Sequence, residues 1–129
     1  MVCIVITEPY EYEDLVRQVA NKEAGAEWFV VYFISLPQIQ NAVEELGNQG
    51  WLGGSSLRSL FDSLLEGYRV LANEVLQGAR QILHQAGGTS NALVIEGDFK
   101  NLKHVLKGKC SRLYTDDAEV LKRLQREED

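Results

Sequence analysis

Apolar and polar positions alternate between two kinds of pattern along this chain. Met1–Thr7 (MVCIVIT) is a continuous apolar, β-branched run, the signature of a strand buried on both faces. Glu8-Pro9 ends it, because proline restricts the residue before it and cannot donate to a ladder. Glu13–Glu23 then carries Leu15, Val16, Val19 and Ala20 at amphipathic-helix spacing, and Gly25 supplies the stop. Trp28–Ser35 (WFVVYFIS) is a second buried strand, and Pro37–Leu46 predicts a short helix with Ile39, Val43 and Leu46 on one face. Gly47–Ser56 holds four glycines in ten residues and is expected to be a mobile loop. From Ser56 to about His84, Leu57, Phe61, Leu64, Tyr68, Leu71, Val75 and Ile82 recur in steps of four and three, with Gly78 at the missing position. Asn91–Glu96 predicts a third strand, Phe99–Lys107 a helix, Cys110–Thr115 a fourth strand and Asp117–Arg126 a last helix.

Strands and helices therefore alternate. That order implies right-handed crossovers and an open parallel sheet with helices on both faces, the α/β class. At 129 residues the chain makes one domain, with 45% apolar and 25% charged residues, an ordinary globular composition. Its net charge of −6 repels phosphate backbones, so no nucleic-acid partner is expected. No apolar run approaches transmembrane length and no signal-peptide pattern opens the chain, which predicts a cytoplasmic protein with no membrane partner. Cys3 and Cys110 have no metal-ligand spacing and form no disulfide framework. The expectation is two buried, inert thiols in a reducing compartment.

Ligands of open parallel sheets bind beyond the carboxyl ends of the strands. The candidate crevice residues there are Glu8, Ser35, Gly97, Asp98, Thr115 and Asp116, with Glu96 and Asp117 beside them. So many acids attract a cation and resist an unchelated triphosphate. The alternative is helix capping, since Asp98 and Asp116 or Asp117 each precede a helix. There is no P-loop, dinucleotide fingerprint or nucleophile elbow, and His84 and His104 sit on different helices, so no catalytic residue is assigned. Lys100, Lys103, Lys107, Lys109 and Arg112 form a basic stretch that reads as a solvated face.

Ala24-Gly25-Ala26-Glu27 followed by WFVVYFIS resembles the end of the first helix and the second strand of universal stress proteins. ARQILHQAGG followed by ALVIEGD is similar to that family's second helix and third strand with its Gly-Asp turn, and the resemblance covers roughly residues 1–115. It implies an adenine-nucleotide-hydrolase-like, Rossmann-like fold, a sheet order beginning 3-2-1-4, and a tendency to dimerise. It also implies an ATP site built from an acid after strand one, the third-strand turn and a glycine-rich motif after strand four. Glu8 and Gly97-Asp98 match the first two, but Thr115–Val120 contains no glycine, and Leu124–Asp129 is polar where the family has a final strand. The chain thus resembles a shortened, non-ATP-binding branch, and no cofactor is expected.

The leading functional expectation is a non-enzymatic protein acting in stress response or signalling through an unknown protein partner. An adenine-nucleotide switch with a noncanonical phosphate site, and a metal-dependent hydrolase using the acidic crevice, are the alternatives. A homodimer is expected, either through the fourth-strand edge or through the long helix, with Trp51, Leu57, Phe61, Leu64 and Tyr68 as candidate interface residues.

Overall fold

The computed structural model describes residues 1–48, 50 and 54–125. Its elements are β1 (Val2–Ile6), α1 (Tyr12–Lys22), β2 (Glu27–Ser35), α2 (Leu36–Asn48), α3 (Gly54–Gln85), β3 (Thr89–Gly97), α4 (Phe99–Leu106), β4 (Arg112–Thr115) and α5 (Ala118–Gln125). The four strands are parallel and lie in the order β3-β2-β1-β4.

The pleat sends alternate residues to opposite layers, and both layers are apolar, which is why β1 and β2 read as unbroken hydrophobic runs. Val2, Ile4, Ile6, Trp28, Val30, Tyr32 and Ile34 face α1, α2 and α3. Cys3, Val5, Phe29, Val31, Phe33 and Ile95 face α4 and α5, which contribute Leu102, Leu106 and Val120. The crossovers from β1 to β3 stack their helices on one side of the sheet, and the return to β4 places α4 and α5 on the other. The order in which strands are added therefore reverses between β1 and β4, while all four keep the same direction.

Two expectations are corrected. The glycine-rich stretch foreseen as a loop over residues 47–56 is helical at both ends, because α2 runs on through Gly47 and Asn48 and α3 begins at Gly54, while residues 49 and 51–53 lie outside the described residues. Gly47 serves close packing: a Cβ there would come 2.9 Å from Leu57 Cδ1, so the glycine lets α2 approach α3. Trp51 lies outside the described residues. The second correction concerns the cysteines, which form a disulfide between Cys3 and Cys110. Parallel pairing of β1 with β4 puts Cys3 opposite Leu113, and the turn leading into β4 brings the two Cα atoms to 5.5 Å, inside the range a disulfide spans. The strand order that the resemblance implies already sets Cys3 and Cys110 at the starts of neighbouring parallel strands; the bond between them is what departs from the expectation of free thiols.

Candidate functional site

A crevice of about 300 Å³ opens at the carboxyl ends of β1 and β2. Thr7 and Glu8 form one wall, Tyr32 and Ser35 the floor, and α2, α3 and α5 close the sides through Gln38, Ile39, Leu64, Tyr68, Asp117 and Val120. The volume sits at the small end of the range for ligand clefts.

Most of the polar residues predicted at the strand ends are engaged by local backbone. Asp98 is the N-cap of α4: its carboxylate accepts from Asn101 N, while the Asn101 side chain accepts from Asp98 N at 2.8 Å, a closed capping box. Gly97 makes room for it, because an added Cβ would meet the Asn101 amide. Asp117 Oδ1 accepts from Glu119 N and Val120 N at the start of α5, Thr115 Oγ1 accepts from Asp117 N, and Ser35 Oγ accepts from Gln38 N at the start of α2. These strand-end residues cap the helices that follow them.

Asp116 does something else. Its carboxylate accepts from Thr7 N at 3.0 and 3.1 Å, from Thr7 Oγ1 at 2.9 Å and from Glu8 N at 3.1 Å. Those two backbone N–H groups leave the end of β1 at the sheet's reversal point, where such groups are suited to holding an anion. An internal carboxylate occupies them, and the open crevice lies one strand over, between β1 and β2. Of the six predicted crevice residues, Glu8 and Ser35 line it, Asp116 and Thr115 brace its rim, and Gly97 and Asp98 stand apart at the start of α4. Glu96 is held by a two-pronged bond from Arg69, at 2.6 and 2.8 Å, which keeps its carboxyl below the usual range.

Tyr32 is a crevice residue that hydrophobic patterning missed, since it sits inside an apolar run. It is 1% exposed, and its buried hydroxyl has no hydrogen-bond partner among the described residues. Burial, with Glu8, Tyr68, Asp116 and Tyr10 adding negative potential, pushes the phenol up to about 12, so it remains a proton donor at neutral pH. The one sequence signal was its chemistry: it carries the only side-chain hydroxyl in β2 before Ser35. Of the candidate interface residues, Leu57, Phe61 and Leu64 pack partly buried against the core, while Tyr68 is 38% exposed at the crevice. The wide apolar stripe of α3 is largely covered by α1 and α2, with the Tyr12 ring lying against Gly78.

Among the described residues no group of three or more His, Cys, Asp or Glu side chains converges to hold a metal ion. None of their helices is long and apolar enough to cross a membrane.

No family model matches the sequence, and no curated protein matches it. Among solved structures the fold is similar to that of hypothetical protein MJ0577, a member of the universal stress protein family, with a TM-score of 0.60 over 99% of this chain and 90% of that one. At 12% identity, that likeness establishes a universal stress protein-like, Rossmann-like α/β fold.

Proposed function

We propose that this is a non-enzymatic, universal stress-like protein that acts in stress response or signalling by binding a protein partner. The observation that carries the reading is the engagement of the strand-end acids. Asp98 and Asp117 cap helices, Glu96 is held by Arg69, and Asp116 is bonded to the end of β1. Of the strand-end acids, Glu8 alone is left exposed with no side-chain hydrogen bond among the described residues, too little for paired acid–base chemistry.

The same contacts speak against the nucleotide-switch alternative. A phosphate seeking the Thr7 and Glu8 N–H groups meets the Asp116 carboxylate already there. Like charges a few ångströms apart cost on the order of a kcal/mol or more even when well screened. Calorimetric titration of the protein with ATP should give no dissociation constant tighter than about 100 μM, roughly −5.5 kcal/mol. A low-micromolar constant overturns the reading in favour of the switch. A companion thermal-shift screen against divalent cations, together with an assay for nucleotide hydrolysis, should show no response, and turnover or a clear stabilisation would overturn it too.

A further inference from the structure

β3 is nine residues long and pairs with β2 along its whole length, from Thr89 opposite Glu27 to Gly97 opposite Ser35. Its other side is the outer edge of the sheet. The opposite edge is guarded: β4 has four residues, carries Arg112, and is tied to β1 by the disulfide. β3 has no such protection of its own, and Arg80 of α3 meets its edge only at Ser90. Its sequence, TSNALVIEG, contains no lysine, arginine or proline, and its one charge, Glu96, is already paired with Arg69. Leu93 at its centre is 43% exposed, beside a broad groove between the strand and α3.

We infer that a second copy of this chain docks here, β3 against β3, antiparallel about a two-fold axis at Leu93, joining two sheets into one of eight strands. The register follows from one contact. Arg80 on α3 reaches the Ser90 carbonyl at 3.3 Å, which marks the even-numbered residues of β3 as those whose N–H and C=O groups face outward. An axis at Leu93 sets Ala92 opposite Val94 of the partner subunit and Ser90 opposite Glu96 of the partner subunit. Outward-facing residues thus meet outward-facing residues in hydrogen-bonded pairs. Leu93 meets its own copy in a close non-hydrogen-bonded pair, which covers the exposed side chain. Arg80, holding Ser90, comes beside Glu96 of the partner subunit, on the same face of the joined sheet. The edge is therefore complementary to itself in shape, hydrogen bonding and charge, and a two-fold pair closes both free edges at once. This contact goes beyond the binding function proposed above and does not depend on it.

Light scattering behind size exclusion should give a mass of two chains at rising concentration. Leu93→Lys, which sets two ammonium groups against each other across the axis, should give one chain, with circular dichroism reporting an intact fold. Leu93→Cys should couple into a covalent dimer under mild oxidation, because the paired positions lie within disulfide reach, while Ala118→Cys on α5 should not. A single-chain mass at every concentration overturns the inference. So does a two-chain mass that survives Leu93→Lys, or failure of Leu93→Cys to couple, since either would place the contact elsewhere.

Discussion

Breaking the Cys3–Cys110 disulfide should remove a large share of the stability of this domain. The bond joins residues 107 apart in sequence, so it closes most of the chain into one loop. In the chain-entropy picture a loop of that length restricts the unfolded ensemble by about 4.8 kcal/mol at room temperature, and measured losses more often fall at roughly 2–4 kcal/mol. Against a typical total of about 5–15 kcal/mol, the reduced protein stays folded with a much smaller margin. The loss should be uneven. β4 is four residues long and otherwise held by its pairing with β1, by Ser111 bonded to the Met1 carbonyl at 2.8 Å, by Arg112 and Tyr114 bonded to Glu23, and by Asp116. Urea unfolding of the oxidised protein, the reduced protein and the Cys3→Ala/Cys110→Ala variant measures the effect. Comparing the last two separates the lost bond from the lost packing of a fully buried sulfur. Hydrogen exchange should show the β4 and α5 amides losing protection first on reduction. A difference under about 0.5 kcal/mol between the oxidised and reduced forms would refute the reasoning.

Tyr32→Phe deletes a buried hydroxyl that has no partner among the described residues, so it should leave the protein unchanged or stabilise it by about 1 kcal/mol; a loss above about 1 kcal/mol in thermal or urea unfolding would show that the hydroxyl is bonded. Acid should destabilise the fold through two carboxylates. The Tyr114 hydroxyl and the Arg112 guanidinium hold Glu23 below its ordinary value, and Arg69 does the same for Glu96. Because the folded-state values lie below the unfolded one, their contribution is full above about pH 4.3 and is lost as pH falls through the folded values. Glu23→Gln/Glu96→Gln should therefore lose less of its urea midpoint than the parent between about pH 6 and about pH 3, and equal losses would count against both pairings.

Short-range pattern determined the elements of this fold. The β-branched apolar runs MVCIVIT and WFVVYFIS suit strands covered on both faces, and the four-and-three spacing from Leu57 to Ile82 suits a long helix with one broad apolar side. Their alternation led to the parallel α/β sheet, and the resemblance to universal stress proteins supplied the order β3-β2-β1-β4 that the structure shows. Asp98 was legible as a cap because its partner, Asn101, lies three residues away, within the reach of local rules. Tertiary structure alone decided the rest. Asp116 meets Thr7 across 109 positions and Arg69 meets Glu96 across 27, and no periodicity records contacts of that range. The cysteines read as free thiols on the expectation of a reducing compartment, although the implied strand order sets them on neighbouring strands; the bond itself came from the tertiary structure. The glycines of residues 47–56 read as flexibility, yet Gly47 is small because Leu57 packs on it. Tyr32 was concealed by its own run, since hydrophobic patterning registers the ring and not a hydroxyl left without a partner. A sequence specifies which faces must be buried; which polar atoms then meet depends on how the buried faces are stacked.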